Sequence, residues 1–131
     1  MSKSIEQLEN NYWPKKNIFP SDLVKRCYEY RKIPISNLSI EQLRVLISQD
    51  IGIKFILETS LNKVARNPIA EGDLYEGDLL VALSKTNIKY WDLTKLNHFK
   101  QIISDNKNLI QIEIGEKSYN KILERVQKLR L

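Results

Sequence analysis

Glu71, Asp73, Glu76 and Asp78 place four carboxylates within eight positions of a chain that is otherwise basic. Carboxylates crowded in this way can ligate a hard cation, divide the work of acid–base catalysis, or offer negative charge to a basic partner. Their setting is a doubled acid-Gly-Asp-Leu unit, Glu71-Gly72-Asp73-Leu74 followed by Glu76-Gly77-Asp78-Leu79. An EF-hand loop requires oxygen ligands at alternate positions, Gly at the sixth and Glu at the twelfth; counted from Glu71, the fifth position is Tyr75 and the sixth is Glu76, so the pattern fails. Paired catalytic carboxylates of the glycosidase kind need a cleft lined by aromatic residues, which the sequence does not indicate. An acidic binding loop, a weak cation site and a solvated connector before a buried helix all fit the residues alone.

Other chemistry has fewer candidates still. A Ser or Cys nucleophile needs a neighbouring base, and the one histidine, His98, sits beside core positions of a helical pattern, as a structural residue would. The one cysteine, Cys27, falls on the inward face of another helix, where a small apolar side chain is wanted. One Cys and one His do not make a zinc set, and neither a phosphate-binding Gly-Lys-Ser loop nor a dinucleotide fingerprint is present. No metal or cofactor is expected. A lone cysteine also makes no use of an oxidising compartment, the first residues carry charges where a signal peptide needs an apolar run, and no stretch approaches the roughly 20 apolar residues of a membrane span. The expected home is the cytoplasm, with no membrane partner.

The elements that must position these residues read as helices. With 131 residues, 42% hydrophobic and 28% charged, and only four Gly and four Pro, the chain suits one all-α domain over 1–131, a compact bundle of six or seven helices. Ser4-Ile-Glu-Gln7 and Ser39-Ile-Glu-Gln42 are both capping boxes. Ser21 starts a helix with Leu23, Val24, Cys27, Tyr28 and Tyr30 at helical spacing; another follows Gly52, with Ile53, Ile56, Leu57, Ser60, Leu61 and Val64 inward, ending at Asn67-Pro68. Leu79 to Leu83 is assigned as a buried helix, with Asp78 as its candidate cap, and Gly72 and Gly77 are expected to turn the chain sharply before and at its start, where a positive φ angle would make Val in place of either glycine costly. Ile88 to Ser104 places Trp91, Leu96, Phe99, Ile102 and Ile103 on one face. Leu109 to Ile114 alternates as a strand does, although no partner strand is evident. Tyr119, Ile122, Leu123, Val126 and Leu129 form a closing amphipathic helix.

Two further surfaces are open to function. Tyr12, Trp13 and Phe19 lie in a Pro-flanked loop, where they either pack over helix ends or stack on a partner. The net charge of +5 permits attraction to nucleic acid, anionic lipid or an acidic protein, and Lys117, Lys121, Arg125, Lys128 and Arg130 are the nearest approach to a basic patch. A solvated helix face accounts for them more simply.

Several blocks resemble, in order, a family of small helical immunity proteins of bacterial contact-dependent growth inhibition systems. They are Leu8-Glu9-Asn10-Asn11-Tyr12-Trp13, Leu23-Val24-Lys25-Arg26-Cys27, Arg31-Lys32-Ile33-Pro34-Ile35, the run from Leu43 to Gly52, and above all the run from Asn67 to Leu80, whose Pro, Gly and Asp positions are all filled. The resemblance covers roughly the first two-thirds of the chain. It implies a cytoplasmic, non-enzymatic protein that binds and neutralises a cognate toxin domain by occluding a surface the toxin needs. The candidate toxin-binding residues are Glu71, Asp73, Tyr75, Glu76 and Asp78, with Tyr12 and Trp13. The rival readings are a small helical nucleic-acid binder using the basic C-terminal helix, whose affinity would fall steeply with salt, and a small hydrolase using the acids.

Overall fold

Matched Ser and Gln residues start two of the helices as the sequence implies. In the computed structural model, which describes residues 2–130, the Gln7 N–H donates to Ser4 Oγ at 3.2 Å while the Ser4 N–H donates to Gln7 Oε1 at 2.9 Å. Ser39 and Gln42 repeat that exchange at 3.1 and 2.9 Å. These bonds satisfy N–H groups that a helix start would otherwise leave free, and they set the beginnings of α1 (Ile5–Glu9) and α3 (Ile40–Ser48). Between them lies α2 (Asp22–Tyr30), capped by Ser21. There follow α4 (Ile53–Arg66), α5 (Asp78–Ser84), α6 (Leu93–Asp105), α7 (Lys107–Ile114) and α8 (Glu116–Gln127). Short 3-10 turns occupy Ile35–Asn37 and Ile88–Tyr90, and no strand occurs among the described residues. The architecture is all-α, and among the described residues no helix is long and apolar enough to cross a membrane.

One core joins these elements. Leu43 and Leu46 of α3, Ile56, Leu57 and Leu61 of α4, Leu79, Leu80 and Leu83 of α5, and Phe99 and Ile103 of α6 are all essentially without exposure. Helix α3 packs against both α4 and α5, α4 against α6, and α5 against α8, which pairs with α7. Complete burial of each such side chain contributes about 1.5–3 kcal/mol, so this interior, and not helix propensity, decides where the short helices lie.

Two expectations need correcting. Residues 109–114 are helical, inside α7, and bring the helices among the described residues to eight. With no neighbouring strand among the described residues, an extended segment there would leave its backbone groups unpaired; the helix satisfies them internally and turns Ile110 and Ile114, four apart, toward the core. Ile112, which alternation would have placed with them, is 78% exposed. The helix expected from Ile88 is also interrupted. Asn87 caps a 3-10 turn and Asp92 caps α6, leaving Trp91 between them, stacked on Phe99 with ring centroids 5.1 Å apart and donating Nε1–H to Thr86 Oγ1 at 2.8 Å.

Candidate functional site

The acidic segment is a loop braced from within. After α4 ends, Asn67 Oδ1 accepts the Ile69 N–H at 3.2 Å, and the Gly77 N–H returns to the Ile69 carbonyl at 3.0 Å, closing the segment on itself. Asp78, 2% exposed, lies beneath it and accepts the N–H groups of Gly72 at 2.7 Å and Leu74 at 3.1 Å. Asp78 therefore does not cap α5. That helix has Gly77 at its N-cap position and no side-chain cap, and Asp78 is already its first residue. As a candidate contact residue Asp78 is likewise corrected, since its carboxylate is turned inward and occupied by the loop backbone.

A second brace comes from α3, which packs beside α5. Arg44 donates from Nε and Nη2 to the two oxygens of Glu41 at 2.6 Å each, and its Nε lies 3.6 Å from Asp78 Oδ2. Glu41 Oε1 in turn accepts the Asp73 N–H at 2.9 Å. The Arg44 hydrogen bonds hold the Glu41 carboxyl below its ordinary pKa, and the Asp73 N–H acts in the same direction against the opposing effect of burial. Gly72 sits in the angle of this network. A Cβ there would approach Glu41 Oε1 to 2.6 Å and Asp78 Oδ2 to 2.9 Å, so close approach, not a positive φ, demands glycine. At Gly77 the backbone is left-handed, with φ +82°.

The loop therefore divides its acids. Asp78 is internal, while Glu71, Asp73 and Glu76 are exposed, together with Leu74 at 62% and Tyr75 at 48%. Glu76 faces Glu113 of α7; hydrogen bonding to that carboxyl and repulsion from it raise the Glu76 pKa above its ordinary value. Among the described residues no group of three or more His, Cys, Asp or Glu side chains is placed to hold a metal ion, so the cation-site reading has no geometric support. Beside the loop, α5, α7 and α8 enclose a cleft of about 720 Å³, bordered by Tyr75, Glu76 and Glu113 and by the cations Lys85, Lys121 and Arg125.

Tyr12 and Trp13 are not gathered into this site. Trp13 packs edge-on to Tyr28 at 4.8 Å, and the Arg31 guanidinium lies 4.0 Å from its ring centroid. It borders an apolar groove with Gln49, just past the end of α3, whereas Glu41 braces the acidic loop from the start of that helix. Eight residues of helix separate the two places by roughly 12 Å. Tyr12 itself is 60% exposed. The basic C-terminal helix provides no uninterrupted stripe: Lys128 lies 3.7 Å from Glu124, and Lys121 and Arg125 turn into the cleft with Glu113. Cys27 is buried, and desolvation pushes its thiol pKa up, the reverse of what a reactive thiolate needs. His98 is exposed on α6.

Sequence reasoning missed Glu41, Arg44, Lys85 and Glu113. The i, i+3 spacing of Glu41 and Arg44 was a usable signal for a paired face. Nothing local connected either residue to Asp78, and Glu113 lay in the segment read as a strand.

The described residues thus form an all-helical fold whose charged loop is fixed by internal hydrogen bonds beside an open cleft. The sequence model of the CDI immunity proteins matches residues 7–102, and the chain belongs to that family. The matched span includes the whole acidic loop and both residues of α3 that brace it. No curated protein matches the chain.

Proposed function

We propose that this protein acts in the cytoplasm as a non-catalytic inhibitor, residues 1–131 working as one unit that binds a cognate toxin domain and covers a surface the toxin needs. Membership of the CDI immunity family over residues 7–102 carries this reading. The loop adds a physical means. Its exposed acids and Tyr75 are held on a backbone already ordered by Asp78 and Glu41, so little conformational entropy is lost when they meet a partner. Opposed charge on the toxin at this patch accelerates encounter and fixes orientation.

The test is to co-express the chain with the toxin domain encoded beside it and to titrate the purified proteins by calorimetry. Protection of the cells and a complex of nanomolar or tighter affinity, in the range of specific protein pairs, are expected. Substituting Glu71, Asp73 and Glu76 by Ala is expected to leave melting nearly unchanged, to weaken binding and to make the remaining affinity less sensitive to salt. A lethal co-expression with no complex rejects the reading; a folded triple variant that binds and protects as well as the parent removes the loop from it.

A further inference from the structure

The cleft between α5, α7 and α8 has a polarity that follows from how its helices run. Glu76 immediately precedes the Gly77–Asp78 start of α5, and Lys85 immediately follows the end of that helix. On the other wall, Ser118 is near the start of α8, with Lys121 and Arg125 one and two turns further on. Helix α7 delivers Glu113 and Ile114 just before α8 begins, and Ile114 lies against Gly77, its Cγ2 3.0 Å from where a Cβ would stand. The starts of α5 and α8 are therefore brought together by the α7 end, and both helices lead away from it toward their basic residues. Glu76 and Glu113 mark one end of the cleft, Lys85 and Arg125 the other, with Lys121 between and Val81 and Ile114 supplying apolar wall. Seven residues of helix on either wall set the two ends roughly 10 Å apart.

None of these five charged side chains forms an ion pair with another described residue; the ion pairs of the protein lie elsewhere. At the acidic end the two carboxyls face each other, and hydrogen bonding to Glu113 and repulsion from it raise the Glu76 pKa. Beyond Glu76 and Glu113, the charged residues lining the cleft are Lys121, Lys85 and Arg125, with no further carboxylate. A ligand that carries the two opposite charges in the matching order pairs with both sets of side chains at once.

We infer that this cleft receives a single segment of the toxin carrying a cationic side chain, which enters between Glu76 and Glu113, and an anionic one about 10 Å away, which meets Lys85, Lys121 and Arg125. This inference rests on the immunity reading and specifies its contact. It also accounts for an acidic loop on a chain of net charge +5: the complementarity lies in the order of charges along the cleft and not in the net charge of either protein. Wrongly ordered segments place like charges together, which gives discrimination between toxins.

Two double variants test it against the toxin domain from the adjacent gene, Glu76→Gln with Glu113→Gln at the acidic end and Lys85→Gln with Arg125→Gln at the basic end. Each is expected to lower affinity about tenfold or more with unchanged melting. In the parent complex, amide hydrogen exchange is expected to slow at 84–86 and 113–125. If the parent binds and either folded double variant stays within about twofold of it, or if exchange at those residues is unaltered, the cleft is overturned while the immunity reading stands. If the parent neither binds nor protects, both fall. Exchange that slows there on raising the concentration of the chain alone, with a doubling of mass by light scattering, makes the cleft a self-interface and also overturns the inference.

Discussion

The loop that follows α1 and the loop that precedes α5 are each fastened by an arginine from elsewhere, Arg31 just past the end of α2 and Arg44 within α3, yet they end in opposite states. Arg31, 1% exposed, donates Nη2 to Glu9 at 2.7 Å and to the Asn11 carbonyl at 2.8 Å, and covers the Trp13 ring. Every polar and aromatic group that it gathers is absorbed into scaffold, with Phe19 and Trp13 both packed on Tyr28. Arg44 gathers Glu41 and Asp78 instead, and those two acids hold the backbone of a loop whose remaining acids face solvent. The difference lies in what the carboxylates grip. In the first loop a carboxylate grips the arginine alone; in the second, carboxylates grip main-chain N–H groups and so free the loop's side chains from any structural duty. A dense set of functional residue types thus becomes an available surface only where other residues carry the folding.

The largest effects come from cutting each brace. Asp78→Ala removes the acceptor of two N–H groups and a buried neighbour of Arg44, and Arg31→Ala removes a buried cation that Glu9 and Trp13 surround. Each is expected to cost about 3 kcal/mol in denaturant unfolding, within the range for breaking one side of a buried charged network. The comparison is sharpened by what else changes. Asp78→Ala is expected to accelerate amide exchange at Gly72 and Leu74 and leave Trp13 fluorescence unaltered, and Arg31→Ala to do the reverse. If either variant disturbs both loops, the two are one cooperative unit and the contrast fails.

Smaller effects, on the order of 1 kcal/mol each, are expected from the two glycines, for different reasons. At Gly77 the obstacle is the φ of +82°, so Gly77→Asn, which tolerates left-handed backbone, is expected to melt higher than Gly77→Val. At Gly72 the obstacle is the space taken by Glu41 and Asp78, so Gly72→Asn is expected to gain nothing over Gly72→Ala. An equal ranking of substitutions at the two positions contradicts this distinction.

What was legible beforehand divides along the same line. Local devices could be read directly: the two capping boxes, Ser21, the end of α4 at Asn67-Pro68, and the need for glycine at 72 and 77. The inward faces of α4, α6 and α8 followed from their spacing. The α7 helix was not legible, because Leu109 to Ile114 alternates and its burial depends on α8 and Gly77, which only the fold brings near. The brace was hidden for a similar reason. Glu41 and Asp78 are separated by more than thirty positions, and one sequence alone does not show that they meet. Asp78 looked like a cap because it precedes an apolar run, but a buried carboxylate with loop N–H groups above it serves that loop first. The cleft joins side chains from four segments and left no local signature.

The smallest effect distinguishes the braced acid from the free one by the sign of its pH dependence. Glu41 has its pKa lowered from an ordinary 4.5 by Arg44, so its charged form is favoured by folding; the stability it contributes is present above that value and is lost as pH falls through the lowered one. Glu76 has its pKa raised from the same ordinary value by Glu113, so folding favours its protonated form, and stability declines as pH rises from about 4.5 through the raised value. Glu41→Gln is therefore expected to lower the melting temperature most near neutral pH, with the deficit closing in acid. Glu76→Gln is expected to leave melting unchanged or slightly raised at neutral pH, with no benefit in acid, because the carboxylate is solvent-facing and its repulsion is largely screened. Melting curves of the parent and both variants between pH 3 and 8 give the answer. Differences of the same sign for the two glutamates mean that Glu76 is structural, held like Glu41, and the loop then has one acid fewer to offer a partner.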